Sequence, residues 1–371
     1  MTYTYTVIVL LASALTCTAA LVLLRWLAPA VGLIDYPGGR KLHDAPVPVV
    51  GGLAMCFGLL PFVFASGHHD AGAVALALAM VAAIGAVDDR GHLQPRARLV
   101  LEVAAAMLLL ADGSWIHYLG NLLGFGPIGT SSYGPIFTVV CIVGLINAMN
   151  MVDGLDGLAG SLALVATAWF TWVALATGNG QVASIGAAAL GVIGAFLAFN
   201  LRTRLRHRAA VFMGDAGSML LGMLLAWFAI ELAGSRQSLL TPVGALWIVA
   251  VPLLDMGSVM AQRMLGRRSP FAADRRHFHH VLVDGGMPVH RAVTLVVAIG
   301  VACGAFGFCF PLLGIPEWVM FAAFLGLGWA ACRWTARSHD ARHPQDPASA
   351  LASPPPEARD EPKERPGAGA F

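Results

Sequence analysis

Eleven apolar stretches separated by short polar loops are the feature of this sequence that most limits its fold. They cover residues 5–27, 49–66, 71–87, 97–111, 135–150, 158–176, 182–200, 218–233, 242–262, 291–313 and 317–333. Hydrophobic residues make up 57% of the chain and charged residues only 12%, against about 25% charged residues in soluble domains. We predict an all-α polytopic membrane protein with about 11 transmembrane helices, although several stretches fall short of the roughly 20 residues that a span usually needs.

The distribution of lysine and arginine predicts the orientation, because these residues are enriched in the cytoplasmic loops of membrane proteins. With the N-terminus outside and the C-terminus inside, all of the 23 basic residues except Arg236 lie on the cytoplasmic side. Deleting one span from the middle would divide these residues between both sides. The polar motifs described below then all face the cytoplasm, which predicts one composite site on that face.

The domain organisation follows from the same pattern. Residues 1–333 form the predicted membrane domain. Residues 334–371 are rich in Pro, Ala and charged residues, and we expect a disordered cytoplasmic tail there because such a segment buries too little apolar surface to fold. The six cysteines form no spacing typical of a zinc site and suggest no disulfide framework.

The segment 147–159 is the most informative polar motif. It places Asn147, Asn150, Asp153 and Asp156 between two apolar stretches, where a charged side chain costs roughly 2.5–3.5 kcal/mol on insertion scales. Asp153 and Asp156 would share one face if the segment were helical, whereas its glycines allow a break in the helix. The alternative interpretation is a polar turn between two spans.

Two further acidic motifs lie on the same predicted side. Asp88 and Asp89 close the third apolar stretch, and Asp215 precedes the eighth within a glycine-bordered motif. Carboxylates at such positions suit a hard cation together with a phosphate group. A solvated helix end for the Asp88–Asp89 pair and an N-cap role for Asp215 remain alternatives.

Basic and imidazole side chains supply the candidate phosphate ligands. Arg275, His277, His279 and His280 lie in the longest basic loop, and Lys41 precedes the second apolar stretch. Arg and His so close together favour phosphate binding over a transition-metal site. The alternative for the basic loop is contact with anionic lipid headgroups. The alternative for Lys41 is a simple positive-inside anchor.

Four other polar residues are assigned no catalytic role. Glu102 is expected to be paired or to reach the interface, and Asp255 to line the same cavity as the acidic motifs, because an unpaired charge there would be costly. His68 and His69 lie on the other side of the membrane, where no motif accompanies them, and we interpret them as an ordinary loop.

Together these motifs resemble the polyprenyl-phosphate N-acetylhexosamine-1-phosphate transferases. The resemblance extends to about residue 333 and rests on motifs in the family's order, at residues 35–52, 88–89, 147–159, 212–218 and 274–280. The last motif is most similar to the branch of undecaprenyl-phosphate GlcNAc-1-phosphate transferases, which initiates O-antigen, lipopolysaccharide, common antigen or teichoic-acid glycans. The phospho-MurNAc-pentapeptide transferases are a less similar branch.

The resemblance implies an activity and a location. GlcNAc-1-phosphate, or a related HexNAc-1-phosphate, would pass from the UDP-sugar to undecaprenyl phosphate, releasing UMP. The enzyme would be a multi-pass protein of the bacterial inner membrane with a periplasmic N-terminus and a cleft facing the cytoplasm. It would use Mg²⁺, with Mn²⁺ as a substitute, and Asp215 would be the principal metal ligand, with Asp88, Asp89 and Asp153 as candidates for further ligands.

The same resemblance implies roles for individual residues. Asp88, Asp89 and Asp215 would be catalytic. The residues that would bind the nucleotide sugar, with Phe212 stacking on uracil, are Lys41, Asn150, Asp153, Asp156, Phe212, Arg275, His277, His279 and His280. The expected partners are the two substrates and the lipid bilayer, with no nucleic acid, while a homodimer stays open. An ion-coupled transporter, which also uses intramembrane carboxylates, is the alternative from another functional class.

Overall fold

Helices dominate the fold, and each predicted apolar stretch contains one. The computed structural model describes residues 3–37, 45–91, 93–110, 113–202, 208–234, 239–267, 269 and 276–342. Its helices are α1 Tyr3–Val31, α2 Gly51–Ala65, α3 Ala71–Gly91, α4 Pro95–Leu109, α5 Gly134–Val152, α6 Leu158–Ala176, α7 Gly180–Asn200, α8 Gly214–Ala233, α9 Pro242–Ile248, α10 Ala250–Leu265, α11 Phe278–Asp284, α12 Val289–Leu312 and α13 Glu317–Arg342.

The lengths of these helices support a polytopic membrane protein. Among the described residues, eight helices are long and apolar enough to cross a membrane, or nine if α9 and α10, which meet at an angle of 81°, form one broken span. The other two predicted spans correspond to α2 and α4, which have 15 residues each. Fifteen residues rise only about 22 Å, less than the roughly 30 Å of a bilayer's hydrocarbon core. The count of eleven and the orientation therefore stay predictions.

The predicted boundary of the tail is wrong by several residues. Helix α13 continues through residue 334 and ends at Arg342, because the polar residues that follow the apolar stretch prolong the helix rather than end it. Residues 343–371 of the predicted tail lie outside the described residues.

Helix α8 lies at the centre of the bundle, and 89% of the residues in its most apolar stretch are buried. Close packing at its N-terminal end depends on glycine. A Cβ atom on Gly85 of α3 would overlap the backbone of Ala216, and one on Gly52 of α2 would overlap the backbone of Gly217. Small residues at these positions let helix backbones approach closely, as is common inside membranes, and they bring three helix ends together.

Two short strands lie beside the start of α8, and one of them is hydrogen-bonded to the chain just before it. Strand β1, Ile34–Asp35, pairs antiparallel with β2, Val47–Pro48. The amide of Phe212, just before α8, donates to the Pro48 carbonyl at 2.9 Å, and the amide of Gly51 donates to the Phe212 carbonyl at 3.0 Å. The chain on both sides of residues 38–44, which lie outside the described residues, is therefore fixed next to the start of α8.

We expect Gly85→Ala to lower the thermal unfolding midpoint in detergent, because the added methyl group must displace the backbone of Ala216. Overpacking of this kind typically costs about 1–3 kcal/mol. The matched control is Gly72→Ala on the same helix, where a Cβ has no neighbour within 4 Å and alanine favours the helix by about 1 kcal/mol. Equal midpoints for the two variants would contradict this account of the packing.

Candidate active site

The predicted acidic residues lie at one end of the bundle. Asp88 and Asp89 belong to the last turn of α3, Asp215 to the first turn of α8, and Asp153 directly follows α5. We call these four residues the acidic cluster. They come from three separate parts of the chain, so their proximity is a property of the fold.

Asp89 fixes the start of α8 from a neighbouring helix. Its Oδ1 accepts a hydrogen bond from the Asp215 amide at 2.8 Å, and its Oδ2 accepts one from the Ala216 amide at 3.1 Å. The capping position itself is Met213, whose side chain makes no capping hydrogen bond. The alternative in which Asp215 is the N-cap is therefore wrong, because a carboxylate of α3 satisfies the free amides and interacts favourably with the helix dipole.

The side chain of Asp215 is held by two partners. Asn150 Nδ2 donates to Asp215 Oδ1 at 2.5 Å and to Ser218 Oγ at 2.9 Å. Arg98 NH1 lies 3.4 Å from Asp215 Oδ2. Asn150 therefore orients a carboxylate of the acidic cluster, and its predicted contact with the nucleotide stays a prediction.

A buried polar network beside the acidic cluster was missed by the sequence analysis. Arg98 donates through NH1 to Asp88 Oδ2 at 3.0 Å and through Nε to Glu102 Oε1 at 2.9 Å. Asn147 Nδ2 donates to Glu102 Oε2 at 2.6 Å, and Glu102 is only 1% exposed. The expectation that Glu102 is paired is confirmed. The spacing of four residues between Arg98 and Glu102, typical of a helical ion pair, was the available signal.

Asp153 and Asp156 lie in a loop and do not share a helix face. Helix α5 ends at Val152 and α6 begins at Leu158. Gly157 adopts a φ of 83° and donates its amide to Asn200 Oδ1 at 2.6 Å, which explains why glycine breaks the helix here. Asp156 accepts a hydrogen bond from Arg202 Nε at 2.6 Å.

The electrostatic position of Asp153 is unfavourable for a carboxylate. Its side chain is exposed to solvent in the loop between α5 and α6, and other carboxylates lie nearby. Desolvation, followed by the charges of Asp215, Asp156 and Asp89, raises its pKa from 3.8 to about 7. Crowded carboxylates of this kind favour either a proton or a cation.

The three predicted histidines lie on the other side of this loop. His277 Nδ1 lies 2.8 Å from Asp255 Oδ2, so Asp255 is paired, as the cost of a buried charge requires. The ring centroids of His279 and His280 are 4.3 Å apart. His279 is 1% exposed, neither ring nitrogen has a hydrogen-bond partner among the residues that the structure describes, and its Nε2 lies against Gly154, next to Asp153.

Burial lowers the pKa of His279 to about 3, so its ring is neutral at physiological pH. Phe212 is half-buried where its backbone joins the start of α8 to β2. Lys41 and Arg275 lie outside the described residues.

The acidic cluster carries the type of donor that a hard divalent cation prefers. Carboxylate oxygens of Asp88, Asp153 and Asp215 are such donors, and Mg²⁺ is bound in proteins mainly by oxygens of this kind, whereas both oxygens of Asp89 already accept backbone amides. Among the described ion pairs, Arg98 is the cation that contacts the cluster, so negative charge is in excess. Desolvation by the surrounding protein and this excess of negative charge together raise the pKa of Asp153.

Comparisons with known proteins point to one family. The family model described as "Glycosyl transferase family 4" matches residues 71–233, which contain the whole acidic cluster. Three relatives are named undecaprenyl-phosphate alpha-N-acetylglucosaminyl 1-phosphate transferase. The protein of Haemophilus influenzae is 32% identical, covering 85% of this chain and 93% of its own. That of Pasteurella multocida is 32% identical, covering 85% and 92%, and that of Escherichia coli K12 is 33% identical, covering 81% and 83%.

The raised pKa of Asp153 predicts a pH-dependent stability in the presence of a chelator. Because the pKa of about 7 in the folded protein exceeds the ordinary 3.8, the folded state binds more protons between these values and loses stability as the pH rises through this window. We expect Asp153→Asn to have a higher unfolding midpoint than the wild type at pH 8 and a similar one at pH 4, in thermal unfolding with EDTA. A difference that does not change with pH would contradict the assignment.

Proposed function

The chain belongs to glycosyl transferase family 4, and from this membership we propose that it transfers N-acetylglucosamine-1-phosphate from UDP-GlcNAc to undecaprenyl phosphate. The products are undecaprenyl-diphospho-GlcNAc and UMP. The names of three relatives that align with more than four fifths of the chain support this activity. The observation that carries the proposal is the acidic cluster, assembled from the ends of α3, α5 and α8 within the family match.

The reaction joins two anionic substrates, so positive charge must compensate their repulsion. In our proposal Asp215 is the principal ligand of Mg²⁺, or of Mn²⁺ in its place, and Asp88 and Asp153 are the candidates for further ligands. When bound, the cation supplies charge neutralisation on the diphosphate, which is the main requirement of phosphoryl transfer. Asn150 orients Asp215 through its hydrogen bond of 2.5 Å.

The acceptor phosphate is assigned to Asp88 and the cation beside it. Undecaprenyl phosphate needs no strong base, because a phosphomonoester has a second pKa of about 6 and is mostly dianionic at pH 7. One of its oxygens forms a bond to the sugar-bearing phosphorus while the bond from that phosphorus to the bridging oxygen breaks, and UMP leaves. Asp88 and Arg98, 3.0 Å apart, would orient the attacking phosphate.

Asp89 has a different proposed role from that of Asp88. Both of its oxygens accept hydrogen bonds from the backbone of α8, so Asp89 is placed to hold Asp215 in position. We propose that it acts mainly as a positioning residue, and direct displacement without a covalent aspartyl intermediate is the simpler mechanism.

The donor nucleotide is assigned to the loop after α5 and to the segment before α8. Asp153 and Asp156 would contact the nucleotide together with Asn150, and the half-buried ring of Phe212 would stack on uracil. Lys41 lies outside the described residues. The chain that follows it is fixed to Phe212, because Pro48 of β2 and Gly51 of α2 form backbone hydrogen bonds with that residue.

The diphosphate and the sugar are assigned to the histidines and Arg275. The ring nitrogens of His279 have no hydrogen-bond partner among the described residues, and the side chain is only 1% exposed, so a contact with the diphosphate would require this ring to move. His277 is oriented by Asp255 at 2.8 Å, and His280 lies beside His279.

The cellular setting belongs to the proposal as well. The clustering of basic residues predicts that the acidic cluster faces the cytoplasm of a bacterial inner membrane. The product would then start a cell-surface glycan such as O-antigen or common antigen. An ion-coupled transporter would instead carry its carboxylates near the bilayer midplane with access from both sides, whereas this cluster lies at helix ends.

A direct assay tests the proposal. Purified protein is incubated with undecaprenyl phosphate, Mg²⁺ and UDP-GlcNAc labelled in the sugar, and both labelled lipid and released UMP are measured. We expect equal amounts of the two products and none without the lipid acceptor. Parallel reactions with UDP-GalNAc and with UDP-MurNAc-pentapeptide determine the donor class, and transfer only from the pentapeptide donor would contradict the proposal.

We expect Asp215→Asn to reduce transfer by at least 1000-fold, because an amide is a poor ligand for a divalent cation and removes one negative charge. The measurement is the initial rate at saturating substrates, with size-exclusion chromatography to confirm folding. The matched control is Asp340→Asn on α13, whose carboxylate is 64% exposed. Near-normal activity of Asp215→Asn would remove this residue as the metal ligand.

A further inference from the structure

A second group of polar residues lies at the end of the bundle opposite the acidic cluster. His68, His69 and Asp70 form the turn between α2 and α3, and Glu231 lies in the last turn of α8. The sequence offered no partner for the two histidines, because Glu231 is 163 residues away from His68. In the fold the four residues meet, so the interpretation of this turn as an ordinary loop is wrong.

The ligand atoms of the turn are close to one another. One nitrogen from each histidine and one oxygen of Asp70 all lie within 4.8 Å of one another. His69 Nε2 is already 3.0 Å from Asp70 Oδ2, and the two imidazole ring centroids are 4.4 Å apart. Ligands around a tetrahedral metal ion with bonds of about 2.0–2.1 Å are roughly 3.3 Å apart, and the distance between His69 Nε2 and Asp70 Oδ2 is already close to this value.

Burial distinguishes this group from a solvated surface loop. His68 is 5% exposed and Asp70 is 6% exposed. The His69 side chain, in contrast, is 69% exposed. His68 and Asp70 are therefore enclosed by protein. His69 lies on the solvent side, from which an ion can enter.

The contacts around the turn orient these groups further. Glu231 Oε1 lies 3.3 Å from His68 Nε2, and the amide of Asp70 donates a hydrogen bond to His68 Nδ1 at 3.3 Å. These contacts fit a ring that is protonated at Nε2, and a metal ion bound at Nδ1 would replace the long hydrogen bond from the Asp70 amide. Ser114 Oγ donates to Asp70 Oδ2 at 3.0 Å. A carboxylate that accepts the second N–H of a histidine is the usual outer partner of a metal-binding imidazole.

We propose that His68, His69 and Asp70 bind a first-row transition-metal dication of the Zn²⁺ type, with Glu231 orienting His68. Two imidazoles and one carboxylate are a donor set for such ions and leave a position for water. Mg²⁺ prefers a full set of oxygen ligands, so this site and the acidic cluster select different metals.

The site has a structural consequence that does not depend on the proposed activity. It connects the turn before α3 to the end of α8, while Asp89 and Asp215 connect the same two helices at their other ends. Between Asp215 and Glu231 helix α8 rises on the order of 25 Å. A bound ion would hold His68, which contacts Glu231 of α8, in one orientation and would raise the stability of the folded state by mass action.

The experiment measures zinc binding directly. The full chain is purified in detergent through a tag without histidine, dialysed against a chelator, and titrated with Zn²⁺ by calorimetry in excess Mg²⁺, which keeps the acidic cluster filled. We expect one equivalent of Zn²⁺ in the wild type and a loss of at least 10-fold in affinity for His69→Gln, whose exposed side chain is not needed for folding. The matched control is His117→Gln, an exposed histidine at the same end, which should bind as the wild type does.

Two further measurements separate a coordination site from adventitious binding. Glu231→Gln should weaken Zn²⁺ binding by about 10- to 100-fold without abolishing it, as expected for an outer partner. Co²⁺ in place of Zn²⁺ should give the intense visible absorption of a low-coordinate nitrogen and oxygen site in the wild type and lose it in His69→Gln. Equal Zn²⁺ affinity in the wild type and His69→Gln, or no binding in the wild type, would overturn the proposal and leave the group as a hydrogen-bond network.

Discussion

The two hydrogen bonds from the start of α8 to Asp89 are the interaction on which the rest of the site depends. They join the end of α3 to the helix that carries Asp215, and they require the backbones to approach so closely that Gly85 has no room for a side chain. Asn150 then connects α5 to the same point. One short stretch of α8 is therefore held from two sides, and the positions of the remaining acidic residues follow from it.

The acidic cluster carries an excess of negative charge, because Arg98 is the cation that contacts it among the described ion pairs. Four carboxylates share one end of the bundle, and desolvation together with their mutual repulsion raises the pKa of Asp153 to about 7. Arg98 offsets part of this charge by contacting Asp88 and Asp215, and Glu102 and Asn147 hold its position in a buried network. Such an arrangement sacrifices stability for function, as enzyme sites commonly do.

The sequence predicted the features that depend on local composition. Each apolar stretch contains a helix, and the acidic motifs were recognisable because charged residues beside membrane spans are costly. The contacts of Arg98 with Asp215 and of His68 with Glu231 could not be predicted, since they join distant segments and depend on how the helices pack. The bend between α9 and α10 and the short lengths of α2 and α4 were missed as well, because hydropathy locates an apolar run without fixing its path.

The enclosure of α8 also bears on how the protein is made. Helices α2, α3, α5 and α6 pack against it, and all four are synthesised before it. A nascent chain that leaves the ribosome therefore carries the surrounding helices into the bilayer first and receives the central one afterwards. Before α8 is in place, the carboxylate of Asp89 has no backbone amides of α8 to accept hydrogen bonds from, and Asn150 cannot donate its hydrogen bond to Asp215. The charged centre can therefore assemble only after α8 has joined the helices that precede it in the chain, and α9, which also packs against α8, follows it.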